Sequence, residues 1–338
     1  MLILTRADIE PLLWMPAVIE AVQRAHADLA LGRASQPARH PATVPGSDAV
    51  LVPMTAVLGP ARTGGVKLLA DIPANPAGPR QQSTIVVLDP VTGACEAFLH
   101  GEAITRYRTA ATSAVATRLL SRPESSTLGL IGAGAQATAH LEAIRHVRPI
   151  DRVLVWSRTA GTARAFADRN SGPSLSIEVV DQPRNAVAEA DILCTLTPAA
   201  NPVVRGAWFP AGLHVNAVGA PPRPDHREID TDAVLRAHLV VDTIHTAIHE
   251  SGAIAIPLNT GELHPDDVTV ELGAVLTGAQ PGRTSHDQIT LFNSVGLPIQ
   301  DMATARLVID AAGAAGTGLY IDLNAGAPAQ LDHPALAM

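Results

Sequence analysis

The sequence predicts an α/β protein with two domains: an α+β domain, and a domain in which helices cover a parallel sheet. Three observations carry this prediction. The chain has 338 residues, and at roughly 100–200 residues per domain this length suits two domains. The apolar pattern changes near Pro123 and again near Ser294. Between these points strand and helix patterns alternate, which is typical of a parallel sheet.

The first 120 residues have the pattern of a helix followed by antiparallel strands. Apolar residues recur at helical spacing over Asp8–Leu31, which predicts one amphipathic helix. Prolines and short apolar pairs over residues 34–60 indicate strands and turns, and Asp89–Gly93 has turn composition. Further strands are predicted over Gly65–Ala70, Ser83–Asp89 and Ala94–Leu99, and an Ala-rich helix over Thr105–Leu120.

The central part of the chain alternates strands with helices that begin near Gln136, Thr159 and Arg184. Its strands are predicted over Thr127–Ile131, Arg152–Trp156, Ser176–Val180, Asp191–Leu196, Leu213–Val218 and Leu239–Val241. After Thr290–Leu297 comes a helix, Ile299–Ala314, which we expect to pack back onto the first domain. The predicted domains are therefore residues 1–120 with 295–338, and residues 121–294. The tail after Leu323 is expected to be frayed.

The amino-acid composition argues against several classes of function. Hydrophobic residues make up 47% of the chain, charged residues 17%, and the formal net charge is −8. This indicates a compact globular protein and argues against nucleic-acid binding, which needs a basic face. No apolar run reaches the roughly 18 residues of a membrane helix, and we see no signal peptide. Two distant cysteines, Cys95 and Cys194, fit a reduced cytoplasmic protein without disulfides.

A glycine-rich turn gives the first functional signal. The short apolar strand Thr127–Ile131 leads directly into Gly132-Ala133-Gly134-Ala135-Gln136-Ala137 and then into a helix. Such a turn lets the backbone approach a pyrophosphate, which the free N–H groups at the helix N-terminus then bind. This context predicts a Rossmann dinucleotide-binding domain, with Gly132, Gly134, Ala135 and Gln136 as cofactor-binding residues.

The second strand indicates which dinucleotide binds. NAD enzymes usually carry an acidic residue at its end, for the ribose hydroxyls. Here the strand ends Trp156-Ser157-Arg158-Thr159. Ser157 and Thr159 can hydrogen-bond a 2′-phosphate and Arg158 can pair with it, so NADPH is predicted, with NADH as the alternative.

Six segments, spread over both predicted domains, resemble the ornithine cyclodeaminase/mu-crystallin family and follow its order. They are Gln36–Arg39, Val66–Leu68, Ile104–Ala111, Gly132–Ala137, His214–Ala220 and Leu291–Gly296. The resemblance covers most of the chain. It implies a homodimer, with a substrate-binding and dimerisation domain beside the Rossmann domain, and a small α-imino or α-amino acid as substrate.

The resemblance also implies site residues. Lys67 and Arg108 match catalytic positions, and both, with Arg39, match substrate-binding positions. An arginine grips a carboxylate in a bidentate fork, and a lysine inside an apolar strand needs a charged partner. For each of these three bases a structural salt bridge is the alternative interpretation. Nearby strand ends complete the predicted site, with Ser294 and Gly296 assigned to the substrate and Thr195, Val218 and Ser294 to the cofactor.

The sequence departs from the cyclodeaminase pattern in two places. Pro221 and Pro222 stand where cyclodeaminases carry an aspartate that handles the substrate amine, and Asp225 aligns with a downstream loop acid. His100 stands where the family commonly has aspartate. His245 and His249 lie one helical turn apart, but a third metal ligand is not evident, so no metal site is predicted.

These features together predict NADPH-dependent reduction of a small α-imino acid (a ketimine), such as Δ1-pyrroline-2-carboxylate to proline. Alternatives within the family are an ornithine cyclodeaminase-type lyase, an iminosuccinate reductase and an alanine dehydrogenase. An alternative of another class is an NADPH-carrying binding protein with weak turnover.

Overall fold

The computed structural model describes residues 1–73, 75–76, 78–323 and 325. Its strands are β1 (Leu2–Leu4), β2 (Ala34–Ser35), β3 (Ala42–Thr43), β4 (Val50–Leu58), β5 (Thr63–Asp71), β6 (Gln81–Leu88), β7 (Cys95–His100), β8 (Thr127–Ile131), β9 (Arg152–Trp156), β10 (Ser176–Val179), β11 (Ile192–Thr195), β12 (His214–Ala217), β13 (His238–Val241), β14 (Thr290–Asn293) and β15 (Leu319–Tyr320). Its α-helices are α1 (Arg6–Ile9), α2 (Met15–Ala30), α3 (Gly101–Leu120), α4 (Ala135–Arg145), α5 (Ala160–Asn170), α6 (Pro183–Glu189), α7 (Thr231–Leu235), α8 (Ile244–Glu250), α9 (Gly252–Thr260), α10 (Leu272–Leu276) and α11 (Pro298–Ala315).

The first sheet has eight strands. Their order is β15-β1-β7-β6-β5-β4-β2, and β3 also pairs with β4. The run from β4 to β7 is antiparallel, as predicted, whereas β1 lies parallel to β7. Because side chains alternate between the two faces of a strand, each strand of this sheet presents one side to the core.

One helix of the first domain differs from its prediction. Asp8–Leu31 is not a single helix: α1 is followed by a short 3-10 helix, Glu10–Leu12, and α2 begins only at Met15. Proline lacks an N–H and clashes with the preceding turn, so it is favoured at the start of a helix and disfavoured in its interior. Pro11 and Pro16 therefore each begin a new helical segment, and Trp14 between them is extended.

The second sheet has seven strands, all parallel, in the order β10-β9-β8-β11-β12-β14-β13. This confirms the predicted α/β class. The strand order reverses between β8 and β11, and in open α/β sheets ligands bind in the crevice at such a point, beyond the carboxyl ends of the strands.

Helices join the two sheets. α3 contacts both sheets, and α11 contacts α2, α3, β4 and β5, so the C-terminal helix does return to the first part of the chain as predicted. α3 begins at Gly101, earlier than expected, directly after β7 ends. The domain boundaries near residues 120 and 295 stay a prediction. The predicted frayed tail, after Leu323, lies outside the described residues apart from Ala325.

Within the described ranges, no helix combines the length and apolar character needed to cross a membrane.

Candidate active site

A cavity of about 370 Å³ lies where the carboxyl ends of the parallel strands face the inner side of the first sheet. Its walls come from β5, α3, the start of α4 and the loops after β11, β12 and β14. Predicted site residues from distant segments meet here: Arg39, Lys67, Arg108, Gln136, Val218, Ser294 and Gly296 all line it. The fold therefore brings the predicted substrate-binding residues and part of the predicted cofactor site to one place.

Two buried bases in this cavity share one carboxylate. Lys67 Nζ lies 2.7 Å from Asp301 Oδ2, and Arg108 Nε donates to Asp301 Oδ1 at 3.0 Å. Lys67 is 1% exposed and Asp301 is fully buried. Among the described residues, Asp301 is the only acid within ion-pair distance of either base. The group of three therefore carries one positive charge that the protein does not match at close range.

Burial makes the Lys67 ammonium easier to deprotonate. Desolvation lowers its pKa from 10.5 to about 8, and the attraction of Asp301 opposes that shift. Lys67 is also the single lysine of a sequence that contains 23 arginines. Arginine stays protonated in proteins, whereas a lysine with a pKa near 8 can release a proton at physiological pH. Among the described basic side chains that line the cavity, Lys67 is therefore the one suited to proton transfer.

Arg39 reaches the cavity from the segment after β2. Its Nη2 lies 2.6 Å from Glu250 Oε2, and its Nε donates to Glu250 Oε1 at 3.1 Å. Burial lowers the pKa of Arg39, and the charge of Glu250 opposes the shift. Its Nη1 is buried without a hydrogen-bond partner in the described structure. Because an unpaired buried donor is costly, this nitrogen indicates a ligand acceptor.

A chain of buried side chains fixes the orientation of Arg108. Its Nη1 donates to Gln300 Oε1 at 2.7 Å, and the Gln300 amide nitrogen lies 3.0 Å from His26 Nε2. Desolvation lowers the pKa of His26 to about 4, so its ring is neutral at pH 7 and can accept that hydrogen bond. Gly296 has φ +78°, and a Cβ there would lie 2.3 Å from Arg108 Nη1. Glycine at this position leaves room for the guanidinium.

The loop after β14 is held by a second buried acid, Asp242. Its Oδ2 accepts from the Ser294 hydroxyl at 2.7 Å and from the amides of Val295 and Gly296 at 3.0 and 2.8 Å. Ser294 was predicted to contact both ligands. In this structure its hydroxyl donates to Asp242, while the residue still lines the cavity.

The glycine turn has the geometry that a dinucleotide requires. Gly132 has φ +112°, and a Cβ there would lie 2.9 Å from the Leu196 carbonyl oxygen. A Cβ on Gly134 would meet nothing within 4 Å, so space is open in front of the α4 N-terminus. Gln136 Oε1 is buried without a partner among the described residues. The turn, the open space and this acceptor fit a bound pyrophosphate and its ribose.

The end of β9 borders a separate cavity of about 390 Å³. Ser157 and Arg158 line it, and so does Arg164 from α5, which the sequence analysis did not single out. Thr159 is the N-cap residue of α5. Neither arginine forms an ion pair with any described residue, so two cations are available at the position expected for a 2′-phosphate.

Thr195, a predicted cofactor-binding residue, is the last residue of β11 and does not line this cavity. It is fully buried, and its hydroxyl donates to Glu228 Oε2 at 2.8 Å. Its role toward the cofactor stays a prediction.

The loop after β12 differs from the cyclodeaminase pattern in its chemistry. Pro221 and Pro222 line the cavity, whereas the Asp225 side chain is 76% exposed and contacts His226. Arg223 donates to Asp71, which also pairs with Arg80. Four cationic side chains and no carboxylate line the cavity, counting the described residues. The lining therefore favours an anionic ligand and offers no acid for a substrate amine.

Sequence reasoning missed the acids that organise this site, namely Asp301, Asp242 and Glu228. Asp301 carried the clearest signal, since it is the one charged residue in the segment Leu297–Ala305, where a buried charge is costly without a partner. The predicted absence of a metal stays untested. His245 and His249 stack with ring centroids 4.5 Å apart, Glu250 pairs with Arg39, and no metal-binding cluster occurs within the described ranges.

Comparison with known proteins identifies the family and similar folds. A family model described as "Ornithine cyclodeaminase/mu-crystallin family" matches residues 1–316. Ketimine reductase mu-crystallin of Mus musculus is 38% identical over 237 residues, which cover 70% of this chain and 72% of that protein. The structure of Thermococcus litoralis Δ1-pyrroline-2-carboxylate reductase in complex with NADH and L-proline superposes with a TM-score of 0.91 and 37% identity, covering 95% of this chain and 100% of that one. An archaeal alanine dehydrogenase dimer with bound NAD gives a TM-score of 0.90 and 32% identity, covering 96% and 99%.

Proposed function

The chain belongs to the ornithine cyclodeaminase/mu-crystallin family, and from this premise we propose that it catalyses the NADPH-dependent reduction of a small α-imino acid. It is an NAD(P)-dependent oxidoreductase that acts on a C=N or CH–NH group. Δ1-pyrroline-2-carboxylate, which would yield proline, is the substrate we test first. The single observation that carries the proposal is the sharing of Asp301 by Lys67 and Arg108 in a cavity with no acidic lining among the described residues.

The charges of the site suit a carboxylate beside an imine. Lys67, Arg108 and Asp301 together carry one net positive charge, and the carboxylate of a bound substrate would neutralise it. Arg108 and the unpartnered Nη1 of Arg39 supply donors for it, and a guanidinium held by Asp301 and Gln300 binds in a fixed plane. Fixing the carboxylate also fixes the adjacent imine carbon, which is the atom that must accept hydride.

The reaction adds one hydride and one proton across the C=N bond. A reduced dinucleotide, held through its pyrophosphate at the glycine turn of Gly132–Ala137, would supply the hydride. Lys67 donates the proton to the imine nitrogen and is left as a neutral amine beside Asp301. The product is an amino acid with a new C–H bond and a new N–H bond, and solvent restores the proton to Lys67.

A steady-state assay tests this function against its alternatives. A panel of cyclic imines and of α-keto acids mixed with amines is scored by the loss of NADPH absorbance. Stoichiometric consumption of NADPH with imine supports the proposal. Ammonia release from ornithine without net change of cofactor indicates a cyclodeaminase, and NADPH binding with no turnover of any panel member indicates a binding protein. Preference for pyruvate or oxaloacetate with ammonia indicates alanine dehydrogenase or iminosuccinate reductase activity.

We propose NADPH as the preferred form of the cofactor because Arg158 and Arg164 flank the cavity at the end of β9. We expect Arg158→Ala to weaken NADPH binding about tenfold and to leave NADH binding nearly unchanged. One charge-assisted contact contributes about 1.5–3 kcal/mol, and exposure of the site favours the lower end. Fluorescence titration with both cofactors measures this. Equal affinity of the wild type for NADH and NADPH contradicts the assignment.

We propose a homodimer that forms through the outer face of the eight-stranded sheet. Apolar side chains on four adjacent strands of this face are exposed: Leu51, Val57, Leu68, Leu88 and Phe98. A contiguous apolar patch on a soluble protein commonly marks an interface. The alanine dehydrogenase with a similar fold is described as a dimer, which supports the same assembly here.

The dimer is tested by placing a charge on that face. We expect Phe98→Asp to produce a monomer at micromolar concentration, because a desolvated carboxylate opposes association. Leu235→Asp is the control, since Leu235 is an apolar residue at the end of α7 that is 54% exposed, against 44% for Phe98. Light scattering distinguishes the two states. A wild-type protein that is already monomeric rules the dimer out.

We also propose that the protein works in a reducing compartment such as the cytoplasm. Cys194 is fully buried, and desolvation raises the pKa of its thiol to about 12. Both cysteines are free thiols in the structure. A buried thiol with so high a pKa is an apolar core group with little reactivity.

A further inference from the structure

Glu228 is a buried carboxylate that the reaction described above does not use. It is 2% exposed and lies between β12 and α7. Its Oε1 accepts from the amide and the hydroxyl of Thr197 at 2.5 and 2.8 Å, and its Oε2 accepts from Thr195, Gly219 and Ala220 at 2.8, 2.7 and 3.2 Å. All five donors are neutral, and no described base forms an ion pair with it.

These hydrogen bonds join two loops at the carboxyl ends of adjacent strands. The loop after β11 lines the cavity through Leu196 and Pro198, and the loop after β12 lines it through Val218–Pro222. The loops touch closely, because a Cβ on Gly219 would lie 2.2 Å from the Thr197 nitrogen. Glu228 does not line the cavity itself, but its hydrogen bonds connect the two loops that form this cavity wall.

The glycine turn rests on the same wall. Gly132 packs against the Leu196 carbonyl, so the turn that would bind the pyrophosphate and the loops held by Glu228 are fixed relative to one another. The bases Lys67 and Arg108 line the same cavity from β5 and α3. A dinucleotide held at the turn and extending toward those bases would place its nicotinamide end along this wall.

We propose that Glu228 is a positioning residue for the nicotinamide ring: it fixes the wall against which the ring lies and places a buried negative charge behind that wall. The oxidised ring carries a positive charge and the reduced ring does not. A fixed carboxylate at short range favours the oxidised form and the transition state that leads to it. Burial raises the pKa of Glu228, and the hydrogen bonds from Thr195, Thr197 and Gly219 oppose that rise. Both carboxylate oxygens accept backbone N–H groups, which can only donate, and this arrangement suits the ionised form.

Binding measurements test the charge directly. We expect Glu228→Gln, which keeps the shape and removes the charge, to weaken NADP⁺ binding about tenfold and to change NADPH binding by about twofold or less. A residue that only stabilises the fold would change both affinities alike. The two dissociation constants come from calorimetric titration of the wild type and the variant. An unchanged ratio of the two constants overturns the proposal.

Two further variants separate an effect on the position of the cavity wall from an effect on the stability of the fold. Asp191→Asn is the control: Asp191 also joins strand ends, accepting from the amides of Ser126 and Thr127 and pairing with Arg122, but at the amino ends of the strands, away from the cavity. It should lower thermal stability without changing the ratio of the two constants. Glu228→Asp keeps the charge but cannot reach both loops, so we expect a normal ratio and about a tenfold lower kcat at unchanged KM. If Glu228→Gln does not fold, an unchanged kcat in Glu228→Asp overturns the proposal.

The inference rests on the proposed cofactor but not on the substrate. Titration of the wild type with NADP⁺ and NADPH is done first and needs no imine. A wild type that binds both but reduces no imine refutes the proposed function and leaves the Glu228 test intact.

Discussion

Replacing Lys67 by methionine is expected to lower kcat/KM for imine reduction by about 10²–10⁴, the usual contribution of a positioned general acid. Methionine has similar length but neither charge nor proton. The fold should survive, because Asp301 keeps its ion pair with Arg108. Steady-state kinetics with Δ1-pyrroline-2-carboxylate measure the loss, and thermal melting checks the fold. A Lys67→Met enzyme with more than half of the wild-type activity refutes the assigned role.

The dependence of the reduction rate on pH identifies the group that donates the proton. The pKa of Lys67 is lowered to about 8, so the ammonium form that donates a proton predominates below pH 8. Imine reduction should therefore be constant on the acidic side and fall tenfold per pH unit above about 8. The reverse reaction needs the neutral amine, so its rate should rise toward pH 8 and then level off. Lys67→Arg keeps the charge but holds its proton, and we expect it to lose the break near pH 8.

Replacing Arg108 by lysine is expected to lower kcat/KM about a hundredfold although the charge is kept. The guanidinium bonds Asp301 and Gln300 in one plane and still has a terminal nitrogen for substrate. A lysine ammonium lacks this planar fork, so the substrate carboxylate would shift, and a misplacement of about 1 Å at the reacting atoms has an effect of this size. The measurement is kcat/KM with Δ1-pyrroline-2-carboxylate.

The neighbouring arginine provides the control. Arg106 lies two positions away on the same helix and pairs with Glu10 near the surface. Arg106→Lys should retain nearly full activity. NADPH affinity should be unchanged in both variants, because α3 lies outside the glycine turn. If Arg108→Lys turns over like the wild type, Arg108 is only structural and the substrate carboxylate binds elsewhere.

Local signals explain what could be predicted from the sequence. The glycine turn and its flanking strands are contiguous, so their order and the positions of Gly132 and Gly134 followed from the spacing. The inward position of Lys67 followed from a charge within an apolar strand. The break between α1 and α2 was missed, because the apolar period continues across Pro11 and Pro16 although the backbone cannot.

Long-range pairing explains what could not be predicted. Asp301 lies 193 residues from Arg108 along the chain, and no spacing rule relates them. Glu228 could not be predicted for the same reason, since its hydrogen bonds join two loops that only the folded parallel sheet brings together. Whether Arg39 and Arg108 would bind substrate or only form structural salt bridges was also open. The structure shows both in salt bridges and both lining the cavity, so the two alternatives are compatible.

The burial of a single lysine has a practical consequence. Apart from the amino terminus, Lys67 Nζ is the only primary amine in the sequence, and it is almost completely shielded from solvent. An amine-selective acylating reagent thus has one accessible target and one enclosed target. The rate of the second acylation, followed as a mass increment on the intact protein, reports how often the cavity opens. Any ligand that fills the cavity should slow it, so unmodified protein can be screened for ligands without a catalytic assay.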